Sequence, residues 1–447
     1  MSRSAQILGA VVNMKKYIPR NIVVIGCGKL GSPLIACLAD AGHTVTGIDV
    51  NEKLISNLRS GAVTWNEPGL KELLAKNSNK ITFTSDYSEA FKQAEVSFVI
   101  VPTPSNNSGE FSNEFVIDAV SQIGLQLSKR KPAPHLVVIV STVMPGSTLG
   151  EINSALKEAS GINSNLVEIS YSPEFIALGT VIKNMQFPDL VLIGQQTESS
   201  GSILEEISLS VVKNEPKVAR LTIPEAEISK IAINSFVTTK ISFSNQISEI
   251  CEATPDSSAE RVLEAIGNDS RIGRSYLTAG AGFGGPCFPR DNRAFNKYAN
   301  SLGLNADLAV ATDQVNSRQN DRVLRIVRKI TKFNDRILVV GLSYKPDTDV
   351  IEESPGVAFV QQAINLGYLV EAVDEHVKSE QFGLDIPIFK PGNAITHAYD
   401  IAILFVPARS YISIPAALDD STKIIDLWGL WKDSRQDSYF RLGNYFA

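Results

Sequence analysis

The chain of 447 residues has few of the residues that most often announce a chemistry. Its four cysteines, Cys27, Cys37, Cys251 and Cys287, are scattered without the spacing of a metal knot or a disulfide framework, which fits a reducing compartment. Its four histidines, His43, His135, His376 and His397, stand far apart, so no metal centre is expected. No apolar run approaches the roughly 20 residues that cross a bilayer, so no membrane partner is expected. A formal net charge of -6 speaks against nonspecific binding of nucleic acid. The short apolar stretch Ile7–Val12 is followed, not led, by Lys15 and Lys16, which is the wrong order for a secretory signal. The cytoplasm is therefore the expected location.

What is present is a long alternation of short apolar runs and helical spacings. Asn21–Gly28 reads as a buried strand ending in glycine, Lys29–Ala41 as a helix and Thr44–Val50 as a second strand. Ile81–Thr84, Val96–Val101, Leu136–Val140 and Leu190–Ile193 read as further strands, with Glu114–Lys129 helical among them. The pattern then turns helical over Glu225–Glu252, Ser258–Ile266 and Asp307–Ile330. From Arg336 the alternation resumes, with strands at Tyr368–Asp374, Asp400–Val406 and Lys423–Leu427 and a helix at Ser354–Leu366. The expectation is an α/β protein of two Rossmann-like doubly wound parallel sheets joined by a central helical region. Its segments are an extension 1–20, a first sheet domain 21–214, a helical domain 215–330 and a second sheet domain 331–447. Lys432–Ala447 shows no clear period.

Gly26, Gly28 and Gly31 form G-x-G-x-x-G, with Cys27, Lys29 and Leu30 between them, where a strand passes into a helix. Such a turn brings a pyrophosphate close to a helix N-terminus. Asp49 closes the next strand about 20 residues on, where a carboxylate accepts from ribose hydroxyls and repels a 2'-phosphate. NAD is favoured over NADP, against the alternative of a glycine turn that binds nothing.

Cys287 ends the stretch that begins at Ala279 and holds Gly280, Gly282, Gly284 and Gly285, and Asp291 follows it. Such a loop brings its backbone close to a ligand and a thiol to a substrate carbon; the other reading is a small apolar residue beside a turn. Lys230 and Asn234 share one face of a helix, where a cation and an amide together stabilise an oxyanion, unless that face is simply solvated. Thr142 follows a strand, as does Glu174 with Phe175, and Thr103 lies in the Val101–Pro104 turn. Strand carboxyl ends are where ligands bind in such sheets, though each residue also reads as an ordinary loop position.

The order of these motifs matters more than any one of them. GCGKLG, NEPGL (Asn66–Leu70), VPTP, STVMPG, SPEF, AEISKIAINSF (Ala226–Phe236), RIGRSYL (Arg271–Leu277), GFGGPCFPRD and LSYKPDTD (Leu342–Asp349) follow one another along the chain. From Asn21 to about Trp428 the sequence resembles the UDP-glucose/GDP-mannose dehydrogenase family. Its Gly-Phe-Gly-Gly-x-Cys loop is most similar to that of the UDP-glucose 6-dehydrogenases, since Pro286 stands where dehydrogenases of N-acetylated UDP-sugars typically carry histidine.

The resemblance implies two NAD-dependent oxidations, alcohol to aldehyde to acid, in a homodimer with a helical core. It implies that Cys287 holds the aldehyde as a thiohemiacetal and then as a thioester. Thr142 and Asp291 correspond to the pair that holds a water for the first deprotonation. Lys230 and Asn234 correspond to the oxyanion groups and Glu174 to the acid of thioester hydrolysis. Arg271 corresponds to an arginine reaching the neighbouring subunit's substrate and Lys345 to a substrate lysine of the second sheet domain. The backbone of Thr278–Gly284, with Gly282, Phe283 and Gly284, corresponds to the sugar-nucleotide loop, Tyr276 before it being a further substrate contact.

Five positions depart from the family pattern. Leu178 replaces an acid and Glu352 an arginine, both near the nicotinamide in the family; Leu190 and Trp428 replace arginines, and Lys29 stands in the first glycine loop. They open the alternatives of another UDP-, dTDP- or GDP-hexose as substrate, or of a non-catalytic nucleotide-sugar binder. A two-electron hydroxyacid dehydrogenase with a related first domain is the third alternative.

Overall fold

The computed structural model describes residues 17–106, 109–176, 178–332, 334–383, 386–393, 397–432 and 438–445. The apolar stretch Ile7–Val12 and most of the 1–20 extension lie outside these residues. The chain divides into two units. The first takes the chain to Pro102 together with Glu114–Ser141 and Ser147–Ala226; the second takes Thr103–Asn113, Thr142–Gly146 and the chain from Glu227.

The first unit is built on eight strands: β1 (Asn21–Ile25), β2 (Thr44–Ile48), β3 (Ile81–Thr84), β4 (Val96–Val99), β5 (His135–Ile139), β6 (Val167–Tyr171), β7 (Leu190–Gln195) and β8 (Lys217–Thr222). They lie in the order β3-β2-β1-β4-β5-β6-β7-β8. Neighbours pair in parallel except β6 and β7, which meet antiparallel at Ser170–Gln195 and Tyr171–Gly194. The unbroken apolar runs are explained by burial on both faces: every residue of β4 and β5 is buried. The helix Gly31–Asp40 is buried from Gly31 to Ala39, packed over the sheet.

The second unit carries a six-stranded sheet: β9 (Arg336–Val340), β10 (Leu369–Val373), β11 (Ile388–Phe389), β12 (Ile401–Leu404), β13 (Lys423–Asp426) and β14 (Tyr439–Arg441). Its order is β11-β10-β9-β12-β13-β14, parallel throughout. In each sheet the strand order reverses beside the first strand, at β1/β4 and at β9/β12, and the crevice for a ligand opens at the carboxyl ends there.

The helical part of the second unit includes most of the 30-residue helix Ile223–Glu252, with Ala259–Gly267, Phe288–Ser301, Asp307–Ser317 and Gln319–Ile330. The buried Arg322 fastens it, its guanidinium donating to both Glu252 oxygens at 2.6 and 3.0 Å. Among the described residues no helix is long and apolar enough to cross a membrane.

Several elements differ from the sequence expectation. Asp307–Ile330 is two helices, broken at Arg318 without a Gly or Pro to mark the break. Cys287 leads directly into the helix Phe288–Ser301, whose Pro289 is a helix-start signal. The strands β8, β11 and β14 were not expected, the last inside the segment that showed no period.

Candidate active site

In the first unit the glycine loop follows β1. Gly26 has φ +98, and a Cβ there would lie 2.3 Å from the Ile100 carbonyl oxygen, so the tight turn needs glycine. Gly28 is different: a Cβ there would meet nothing within 4 Å, which leaves open space for a pyrophosphate at the start of Gly31–Asp40. A Cβ at Gly31 would strike the Gly26 carbonyl at 1.8 Å, so that glycine serves close helix packing. The half-buried Asp49 follows β2 and accepts from the Cys27 N–H at 2.8 Å and the Asn51 N–H at 2.9 Å. A carboxylate has about four lone-pair sites, so capacity for ribose hydroxyls remains. Lys29 is exposed and Leu30 half-buried between the glycines. These features fit NAD.

Glu174 and Phe175 also lie in the first unit, both half-buried beyond β6. Burial pushes the Cys37 thiol up to about 12, with the Glu174 charge as the next cause, which makes this cysteine inert. Leu178, where the family carries an acid, packs against the apolar core of the sheet. Sequence reasoning left Glu67 of the NEPGL motif without a role. It is buried and accepts the N–H of Ile182 at 3.0 Å, fixing the helix Val181–Gln186 that follows the Glu174 loop.

The second unit gathers most of the remaining candidates. Cys287 occupies the N-cap of Phe288–Ser301, and its carbonyl accepts from the Asp291 N–H at 2.8 Å. It is exposed, whereas Cys27, Cys37 and Cys251 are buried. Asp291, fully buried in the first turn, accepts from Asn234 Nδ2 at 2.7 Å and pairs with Arg290 at 3.0 Å. Lys230 and Asn234 are both buried, so the solvated-face reading fails. Thr103 Oγ1 donates to the Thr142 carbonyl at 2.7 Å, joining those two candidates. A neighbouring contact had no sequence signal: Glu227, also buried, accepts from the Gly146 N–H at 2.6 Å.

The environment of Cys287 departs from expectation. A lysine beside a thiol and a helix N-terminus both favour thiolate. Yet the thiol is pushed up, first by desolvation and then by the Asp291 charge, with Arg290 and Lys230 pulling down and Glu352 pushing up. Its surface is open to water while protein crowds its remaining sides, and the thiol is the resting form at neutral pH.

The glycines before Cys287 are also not what the sequence suggested. The room left by their missing side chains is filled by protein. A Cβ at Gly280 would lie 2.5 Å from the Trp428 ring, at Gly282 2.7 Å from Asn316 Oδ1, at Gly284 2.2 Å from the Glu353 carbonyl and at Gly285 2.5 Å from the Tyr344 ring. Asn316 also bonds both the N–H and the carbonyl of the buried Phe283, at 2.8 and 2.9 Å. Lys345 is half-buried with its Nζ 5.9 Å from the Tyr344 ring centroid. Tyr276 is exposed at φ +60 yet meets the ring of Phe288, next to Cys287, edge-on at 6.3 Å, whereas Arg271 stands apart, reaching into solvent while pairing with Asp269 at 2.7 Å.

Two doubly wound parallel-type sheets, one with a dinucleotide cradle, and an exposed cysteine near buried Lys, Asn and Asp define the class only as an NAD-binding protein with a thiol centre. Three models of one family match it in order: the NAD binding domain over residues 20–211, the central domain over 224–318 and the UDP binding domain over 338–433. The chain belongs to the UDP-glucose/GDP-mannose dehydrogenase family. It is 36% identical over 356 residues to the UDP-glucose 6-dehydrogenase AglM of Haloferax volcanii, covering 78% of this chain and 82% of that one. It is 30% identical over 362 residues to a GDP-mannose 6-dehydrogenase of Pseudomonas savastanoi, covering 80% and 81%. A UDP-glucose dehydrogenase structure from Pyrobaculum islandicum superposes with a TM-score of 0.88 at 29% identity, covering 96% of this chain and 99% of that one.

Proposed function

We propose that the enzyme oxidises UDP-glucose to UDP-glucuronate, using Cys287 to hold the sugar between two oxidations. NAD, when bound, accepts the hydride of each oxidation. The observation that carries this reading is the Cys287 constellation: an exposed thiol on the helix that also presents Asp291, with Asn234 bonded to Asp291 at 2.7 Å and the buried Lys230 one turn away. Lys230 and Asn234 stabilise alkoxide charge at C6. Asp291 and Thr142 hold the water that takes the first proton. Cys287 adds to the aldehyde, the second oxidation leaves a thioester, and water assisted by Glu174 releases the acid. Thr278–Gly284, Tyr276 and Lys345 hold the nucleotide sugar, and Thr103 serves the cofactor.

The four-segment division at 20, 214 and 330 goes with this reading, as does a cytoplasmic location, where a free nucleophilic thiol stays reduced. So does a homodimer. On helix Ile223–Glu252 the residues Phe236, Phe243 and Ile250 recur every seventh position and are 66%, 46% and 59% exposed, a stripe suited to a second copy that Arg271 would reach.

Counting NADH per sugar tests the reaction: two supports the four-electron oxidation, one points to a simple dehydrogenase, and none to a binder. A second reading rests on Trp428. Its Nε1 already donates to the Phe405 carbonyl at 2.8 Å, so it offers no substitute for an arginine's donors. Turnover across UDP-, dTDP- and GDP-hexoses decides between UDP-glucose and another nucleotide sugar.

A further inference from the structure

We propose that Tyr344 and Trp428 are positioning residues: two aromatic rings at the carboxyl ends of β9 and β13 that hold the glycine-rich loop and set the reactivity of Cys287. Both rings occupy places where the loop has no side chains. The Trp428 ring lies on Gly280, at the start of the loop, and the Tyr344 ring on Gly285, two residues before the cysteine.

Each ring is itself held. Trp428 donates from its backbone N–H to Asp426 Oδ1 at 2.9 Å and from Nε1 to the Phe405 carbonyl at 2.8 Å, so its plane is fixed from both ends. The Tyr344 N–H donates to the Val350 carbonyl at 3.0 Å, closing the loop after β9. That same loop accepts the Gly285 N–H on the Glu352 carbonyl at 3.0 Å and packs the Glu353 carbonyl against Gly284. The cysteine loop therefore rests on the second sheet through two rings and a backbone bond. Its position follows the strand ends that form that sheet's ligand crevice.

The Tyr344 ring also lies within the electrostatic surroundings of the thiol. Burial pushes the Tyr344 phenol up to about 12, and the Cys287 charge pushes in the same direction, which places the two groups within electrostatic reach. The charged groups facing Cys287 are Asp291 and Arg290 from its own helix, Lys230 from Ile223–Glu252 and Glu352 from the loop after β9. The uncharged Tyr344 ring is seated on Gly285, two residues before the cysteine, and we assign its bulk to the protein that desolvates the sulfur. Desolvation is the leading cause of the raised thiol, so removing the ring lets water in and lowers it. The same removal lets the loop shift, so a more reactive thiol accompanies a slower enzyme.

The exposed thiol makes this measurable without turnover. Native protein is alkylated with iodoacetamide across pH, and the modified cysteine is located by peptide mass. Tyr344→Ala is expected to shift the alkylation profile toward lower pH by about one unit, an increase of about tenfold in rate near neutrality. Tyr344→Phe keeps the wild-type profile. Gly280→Ala is expected to change the profile when Trp428 is present, because its methyl meets a pinned ring, and to be tolerated in the Trp428→Ala background, where the ring is gone. This reciprocity separates a clamp from general loss of stability, and Trp428→Phe replaces Trp428→Ala if the latter fails to fold. The consequence for turnover rests on Cys287 being the nucleophile: kcat should fall in Tyr344→Ala with KM little changed. Wild-type alkylation profiles in Tyr344→Ala and Gly280→Ala would overturn the proposal. Altered profiles with normal kcat would instead overturn the nucleophile reading.

Discussion

The two sheets use the same turn for different ends. After β1, Gly26 has φ +98; after β9, Gly341 has φ +96. Beyond the next strand in each sheet an aspartate reaches back to that turn. Asp49 accepts one loop N–H, from Cys27, and one of its own, from Asn51. Asp374 accepts four, from Leu342, Ser343, His376 and Val377 at 2.8 to 3.1 Å, and has no exposed surface. Four donors fill a carboxylate's lone-pair sites, and two do not. The same backbone solution thus gives an acid with acceptor capacity to spare in the first sheet and a sealed structural acid in the second. The difference lies in how many neighbouring N–H groups the loop turns inward.

The comparison breaks most visibly at Asp374. Asp374→Ala strips four N–H donors of their acceptor, three of them in buried bonds, and should cost on the order of 3–5 kcal/mol or prevent folding, read from denaturant midpoints. Asp49→Ala should leave the midpoint almost unchanged. The next largest effect concerns the surroundings of Cys287 in the second unit. Lys230→Ala and Asn234→Ala should each lower turnover by about 10²–10³-fold with NAD binding intact, and the double variant should be less than additive. Near-normal turnover in both single variants would remove them from the chemistry.

A pH profile sharpens the same region. The Cys287 thiol is raised, so its thiolate is scarce at pH 7 and grows about tenfold per unit as pH rises toward the raised value. Where addition of the thiolate limits the rate, acid formation should climb from pH 7 to 9 and fall below pH 7. A flat profile over that range would show that another step limits. The smallest effect belongs to the first sheet: Asp49→Ala should weaken NAD by about tenfold and narrow its preference over NADP, measured by titration calorimetry. Wild-type use of both cofactors would mean that Asp49 does not discriminate.

Both sheets were legible in the sequence because their constraints are local. An apolar run ending in glycine states its own strand and turn, and Asp49 lies one strand further on. The cysteine loop was legible only as a motif. What fills its glycines comes from Asn316, Tyr344, Glu353 and Trp428, brought to it by the fold. Lys230 and Asn234 showed their shared helix face but not its burial, because burial depends on what packs against it. Two short strands, β11 and β14, gave no signal for a similar reason: they are edge segments whose pairing comes from the sheet. The break at Arg318 lacks the residues that usually mark one.

The way the chain is shared between its units has a consequence for how the protein is made. Thr103–Asn113 and Thr142–Gly146 belong to the second unit, yet both leave the ribosome before the first unit is finished. The first sheet can close during synthesis, since its strands are complete once β8 has emerged. The two early segments must wait for partners encoded later, such as Glu227 for Gly146. Birth order and assembly order therefore differ. Separating the halves at Ala226 would strand those segments on the first fragment, away from the residues they join.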